Sequence, residues 1–455
     1  MLPVVSKMAS SYQQACSQLM VEAEEQTGGR RQNGSFIPSA ETTMLSPYLP
    51  RETLDYIIDL LHDEPETLRE CCLVSKSWIP RARKHLFTDI KFRSVIDLES
   101  WKKTFPDPSN SPAYHTRTLS VRCPEEIAYT DGEEDGWIRA FSRVERFNLV
   151  VSGNPLANIS DLEVTLTPFH GFSPALKSLH VSYSTLQTSQ IFDLISSLPV
   201  LNDLTLVTDG PEIGDGLGFN APPSVTRSPT SPAFTGTLDL SMYTSMLGLP
   251  ARQLLDLPNG LHFRKLALSW CCKEDLRWVV ELVLRCSDTL ECLDVSRYLQ
   301  GTCVLALRCS YNLPSFVAGS GPAFVDLSKT RKLRYVIFWP VSPTVAWIIA
   351  TLQTITPMHR DLQRISIHIP FDFLFTNAYT AAKARRIIGD VIYKEWSDLD
   401  RFLVQFWESC SVRPKVTLGV STREVKQNMR CCIECLFPET TKRGIIDLVG
   451  RRVPQ

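Results

Sequence analysis

No uninterrupted apolar run in this chain approaches the roughly 20 residues that a membrane-spanning helix needs, so no membrane association is expected. Charge of one sign is missing too. The 48 basic and 49 acidic side chains leave a formal net charge of −1. That balance offers no global pull toward nucleic acid or an anionic surface. The opening stretch, MLPVVSKMASSYQQACSQLM, lacks the basic start and long apolar segment of a secretory signal. Without one, the 14 cysteines are expected in a reducing compartment, cytoplasmic or nuclear. There they serve as small buried hydrophobes rather than disulfide partners.

Signatures of catalysis are equally scarce. There is no G-x-x-x-x-G-K-[ST], no H-E-x-x-H and no G-x-S-x-G, and the eight histidines fall in no triad or metal spacing. Cys432-Ile-Glu-Cys435 is a C-x-x-C without the second pair, or the spaced histidines, that would complete four zinc ligands. Cys71-Cys72 and Cys271-Cys272 sit on apolar segments, where core packing accounts for them. Gly214, Gly216 and Gly218 imitate a phosphate loop, but Pro222 and Pro223 follow where a helix would have to start. No cofactor, no metal and no enzymatic activity are expected, since no nucleophile, base and orienting group can be assembled from spacing.

What the chain does have is two kinds of pattern, and its 455 residues are enough for more than one domain. Residues 1–45 are rich in Ser, Gln, Glu and Gly and read as a disordered tail. A helical segment then begins. Leu54, Ile57, Ile58 and Leu61 recur at i, i+3, i+4 and i+7, the spacing of one helix face, with Arg51, Asp55 and Asp59 elsewhere on the cylinder. Pro65 suits the first turn of a second helix, in which Leu68, Cys71 and Cys72 share a face, and Pro80 suits the start of a third.

After residue 90 the pattern becomes Leu-x-x-Leu-x-Leu, loosely kept. Its clear copies are Leu176/Leu179/Val181, Leu201/Leu204/Leu206, Phe263/Leu266/Leu268, Leu290/Leu293/Val295, Leu333/Val336/Phe338 and Leu362/Ile365/Ile367. Weaker ones lie at Leu119/Val121, Phe147/Leu149 and Val416/Leu418. The last two positions of each copy alternate as a strand with one buried face requires. Helical apolar patterns stand upstream of several copies: Ile191/Leu194/Ile195/Leu198, Leu276/Val279/Val280/Val283/Leu284, Val345/Ile348/Ile349/Leu352 and Leu399/Leu403/Phe406. Helix then strand, repeated, predicts an α/β fold with a parallel sheet and outer helices. The repeat length matches leucine-rich repeats, here irregular, spanning 91–450, with a flexible Gly/Pro/Ser-rich insertion at about 208–236.

The run Leu49-Pro50, Ile57, Leu60/Leu61, Leu68 and Cys72-Leu73-Val74-Ser75-Lys76-Ser77-Trp78 resembles an F-box, with Ser75 where Cys is common. An F-box at 46–90 followed by irregular leucine-rich repeats is similar to the large F-box families of mushroom-forming fungi. That resemblance implies a three-helix F-box binding a Skp-type adaptor, and through it the cullin and RING subunits of a ubiquitin ligase. The repeats would hold a protein target that the sequence does not name. The expected adaptor-facing residues are Leu49, Pro50, Ile57, Ile58, Leu68, Leu73, Val74 and Trp78. The alternative is a leucine-rich-repeat scaffold with no ligase role, its helical start being only a cap.

Among the tryptophans, Trp270 and Trp339 fall just past repeat strands, where large aromatics anchor partners, and are the candidate target-binding residues. Trp347 and Trp407 have the placement of core residues. Ser228-Pro229 and Ser231-Pro232, beside Arg227, are candidate phosphorylation sites, and Asp131 to Asp135 form an acidic loop.

Overall fold

A computed structural model describes residues 50–123, 136–151, 166, 169–183, 188–208, 234–242, 247–257, 260–270, 273–297, 324–340, 345–369, 386, 390–410, 413–420 and 427–450. The expected tail, the glycines and Ser-Pro pairs of the insertion, the acidic loop and the Cys271-Cys272 pair lie outside these residues. The chain divides into two compact units. The described residues 50–151 and 166–176 belong to the first and 177–450 to the second.

Unit one begins with three helices: α1 (Arg51–Leu60), α2 (Pro65–Val74) and α3 (Ile79–Leu86). Pro50 precedes α1, and Pro65 and Pro80 sit in the first turns of α2 and α3, where a missing N–H leaves no bond unmade. Arg83, Lys84 and His85 fill the last turn of α3, the favourable end of its dipole for cations. The helices enclose a small core of Ile58, Leu68, Cys71 and Ala82, with Leu61, Cys72, Trp78 and Leu86 packed partly buried against it.

Strand β1 (Asp89–Phe92) follows at once, its first two residues falling inside the 46–90 range expected for the helical module. Its Phe87-x-x-Ile90-x-Phe92 has the repeat spacing, and Ile90 and Phe92 are buried. Helix α4 (Val95–Thr104) is capped reciprocally. The Asp97 N–H donates to Ser94 Oγ at 3.3 Å, while the Arg93 N–H donates to Asp97 Oδ2 at 2.9 Å. Strand β2 (Thr118–Cys123), the one-turn α5 (Gly136–Arg139) and β3 (Arg146–Val151) complete the parallel set β1-β2-β3. Edge-on contacts of Phe92 with Trp101, Trp137 and Phe141, at 5.7, 6.1 and 6.1 Å between centroids, clamp α4 and α5 to β1.

Unit two alternates strands and helices: β4 (Ser178–Tyr183), α6 (Thr188–Ser196), β5 (Asp203–Thr208), β6 (Thr237–Met242), α7 (Gly248–Leu255), β7 (Lys265–Trp270), α8 (Lys273–Arg285), β8 (Cys292–Arg297), β9 (Tyr335–Pro340), α9 (Ala346–Leu352), β10 (Arg364–Ile369), α10 (Asp390–Ser409), β11 (Lys415–Val420), α11 (Gln427–Leu436), α12 (Pro438–Lys442) and β12 (Ile446–Gly450). Each strand pairs in parallel with its chain neighbours, from β4 to β12. This is the open, solenoid-like α/β order expected from the repeats.

The register stacks the repeats position on position. One buried column runs Leu179, Leu204, Leu238, Leu266, Leu293, Val336, Ile365, Val416. A second runs Val181, Leu206, Leu240, Leu268, Val295, Phe338, Ile367, Leu418. The backbone repeats as well. The carbonyl just before a strand accepts two successive N–H groups of the next repeat. Arg264 O takes Glu291 and Cys292 at 2.8 and 2.9 Å, and Glu291 O takes Arg334 and Tyr335 at 2.8 and 3.0 Å.

Strand β6 has no counterpart among the copies read from sequence. Phe234, buried and stacked on Phe263 at 5.2 Å, stands one residue further from Leu238 than the motif allows. The end of the expected insertion, from Phe234 onward, therefore belongs to the fold. On α8 the buried position is Leu282, while Leu284 is exposed, because Leu276, Val279, Leu282, Val283 and Cys286 set the inward face. Trp347 is buried, whereas Trp407 is half-buried with the Arg413 guanidinium 4.6 Å over its ring. No described helix is long and apolar enough to cross a membrane.

Candidate functional site

Two places stand out, one in each unit. In the three-helix module, so few side chains are fully enclosed that large apolar groups are left outside. Tyr56 and Leu60 of α1 are each 63% exposed and Ile57 39%, while Leu73 and Val74 at the end of α2 are 58% and 66% exposed. Each side chain of this size costs on the order of 1.5–3 kcal/mol when left in water rather than buried. Such surplus apolar surface on so small a module marks a contact surface.

Of the residues expected to face an adaptor, Ile57, Leu73 and Val74 are on this surface, and Pro50 is exposed at the start of α1. Leu49 lies outside the described residues. Ile58 and Leu68 do not face outward. Each is 1% exposed in the module's core, because the i, i+3, i+4 face that the sequence offers is used internally. Trp78 is half-buried, its ring partly spent on the same core. Tyr56 and Leu60 were missed as surface residues. Their signal was helical phase: at 100° per residue both fall on the side of α1 opposite the Leu54–Ile58–Leu61 stripe.

The module is tied across α1 and α3 by Asp59. Arg81 Nε donates to Asp59 Oδ1 at 2.5 Å, a second Arg81 nitrogen donates to Oδ2, and His85 Nε2 lies 2.7 Å from Oδ1. The Arg81 hydrogen bonds hold the Asp59 carboxyl well below the usual carboxylate range. This geometry fixes the angle at which the exposed residues of α1 are presented.

The second place is in unit two, on the sheet face opposite the two buried columns. Trp339 of β9 is half-buried. Its ring stacks on His368 of β10 with centroids 3.9 Å apart and planes 10° from parallel. Position +3 after the first column residue is shared by Ser269, Ser296, Trp339, His368 and Gly419, and the register puts them in one cross-strand row. The row opens with two small buried serines, whose hydroxyls are 2.7 Å apart. A Cβ at Gly419 would collide with the His368 ring, so glycine is what lets that ring lie where it does. In the neighbouring row Asp294 accepts a hydrogen bond from Trp339. Burial pushes the Asp294 carboxyl up to about 6, against the opposing pull of Lys265 and the Trp339 bond. Trp270 ends β7, and its side chain lies outside the described residues.

Burial raises Cys71 and Cys410 and pushes Cys286 and Cys292 up to about 12 and about 11, away from the thiolate needed for nucleophilic chemistry. On α11, Cys431 and Cys435 are half-buried, and the Cys432 side chain lies outside the described residues. Among the described residues no group of three or more His, Cys, Asp or Glu could hold a metal ion. No family model matches the chain, and no curated protein matches its sequence.

Proposed function

We propose that the chain is the substrate-recognition subunit of a Skp–cullin–F-box ubiquitin ligase. The three-helix module is the F-box that grips the Skp-type adaptor, and the repeat face of unit two holds a target protein. The observation that carries this reading is the exposure of Tyr56, Ile57, Leu60, Leu73 and Val74 around so small a core. A helical module that leaves such residues in water is built to place them in a partner's groove. The mechanism is proximity: a bound target meets the ubiquitin carrier at raised effective concentration, and the chemistry belongs to the cullin and RING partners.

The test is capture of a purified Skp-type adaptor by the full chain. The double substitution Leu60→Asp with Val74→Asp changes only exposed positions, so it should leave the thermal midpoint in place. It should weaken capture by about 30-fold or more, the loss expected when interface hot spots are removed. Leu49→Asp with Pro50→Ala should act in the same direction, and Cys432→Ser should leave capture unchanged. Undiminished capture by the Leu60/Val74 variant would remove the F-box assignment.

A further inference from the structure

We propose that Asp294, Trp339 and His368 form a subsite for an arginine side chain of a target segment lying across the repeat face of unit two. The inference rests on the target-binding half of the function proposed above and gives that target a chemistry.

Three observations converge on a planar cation. First, the row that holds Asp294 carries a second carboxylate. Asp239 pairs with Ala267, and Ala267 with Asp294, so two acidic positions are separated by one small residue. Lys265 lies one row away and draws the Asp294 carboxyl down only in part. Second, an indole stands on the next strand, held by the parallel His368 ring and bonded to that same carboxylate. A guanidinium satisfies both neighbours. Its N–H fork matches the two oxygens of a carboxylate, and its flat cationic face suits an aromatic ring. Third, the register sets small residues next to both groups: Ser296 pairs with Trp339, and Ala267 pairs with Asp294.

Desolvation works against the ionised Asp294, and the indole bond does not restore what burial removes. A cation placed beside the carboxylate would offset that burial cost. Gly419 acts at one remove as a positioning residue. It makes room for His368, which in turn sets the plane of Trp339.

The experiment uses the full chain with 15N-labelled indoles, the Trp339 signal being identified by its loss in Trp339→Phe. N-acetyl-arginine amide is titrated in, with N-acetyl-citrulline amide as the uncharged isostere. A single side chain is expected to bind in the millimolar range. The Trp339 signal should move saturably with the arginine probe and not with citrulline. Asp294→Asn should weaken binding by about 10-fold or more, as loss of a charge-assisted pair requires. Gly419→Ala should shift the unliganded Trp339 signal and weaken binding, because the added Cβ displaces the His368 ring that sets the indole plane. The proposal is overturned if arginine moves nothing, if citrulline moves the signal equally, or if Asp294→Asn binds as the unaltered chain does. Adaptor capture is measured on the same samples. Arginine binding by a chain that captures no adaptor supports the subsite and removes the ligase assignment. Adaptor capture by a chain blind to arginine removes the subsite alone.

Discussion

Asp59 and Asp294 are displaced in opposite directions, and the two shifts predict opposite responses to pH. Burial raises the folded-state pKa of Asp294 to about 6 from an unperturbed 3.8. The folded chain therefore holds its proton longer than the unfolded chain does, and stability falls as pH rises between these two values. Asn at this position carries no charge to desolvate. Asp294→Asn should stabilise unit two at pH 8 by about 1 kcal/mol, a discounted fraction of the roughly 1.4 kcal/mol per pKa unit. The advantage should close toward pH 4. Paired thermal melts at the two pH values check this, and a variant less stable than the parent at pH 8 would contradict it. The substitution that improves the fold is thus the one expected to remove arginine binding.

At the scale of elements, the cross-tie from α1 to α3 decides how firmly the module holds its shape. The lowered pKa of Asp59 means that its contribution is complete above the unfolded carboxylate range and fades as pH falls below about 4. Asp59 is a third exposed, so solvent screening leaves a modest sum. Asp59→Asn should cost about 1 kcal/mol at pH 7 and less at pH 3. Faster amide exchange in α1 and α3 at neutral pH, with unit two unaffected, is the expected readout. Exchange unchanged in both helices would show that the tie adds nothing to the packing of Ile58, Leu68 and Ala82.

Across unit two, parallel strands in chain order mean that each repeat leans only on its neighbours. Stability in such an array is close to a sum of repeat and interface contributions. Leu240 of β6 is fully buried between Leu206 and Leu268. Leu240→Ala should therefore cost about 2–5 kcal/mol locally. Exchange protection should fall most in β5, β6 and β7 and least in β11 and β12. Uniform loss of protection over all nine strands would mean that unit two unfolds as one block rather than repeat by repeat.

Much of this architecture was legible in the residues alone, because it rests on periodicity. The apolar pairs read as strands from Leu119/Val121 to Val416/Leu418 are strand residues and are buried. The helix faces at Ile191/Leu194/Ile195, Val279/Val283 and Leu399/Leu403 are likewise buried in helices. Short-range sterics and the cost of leaving aliphatic groups in water act on neighbours in sequence, so the chain itself carries them. Phe234 and Leu284 escaped because one residue of slack changes which side chain points inward, and only packing against a neighbouring repeat settles that. Ile58 and Leu68 went the same way: one apolar stripe serves a core or a partner equally well until three helices choose. The company of Trp339 belonged wholly to tertiary structure. Asp294, His368 and Gly419 lie tens of residues from it, and parallel register alone brings a carboxylate, an imidazole and a missing Cβ to one indole.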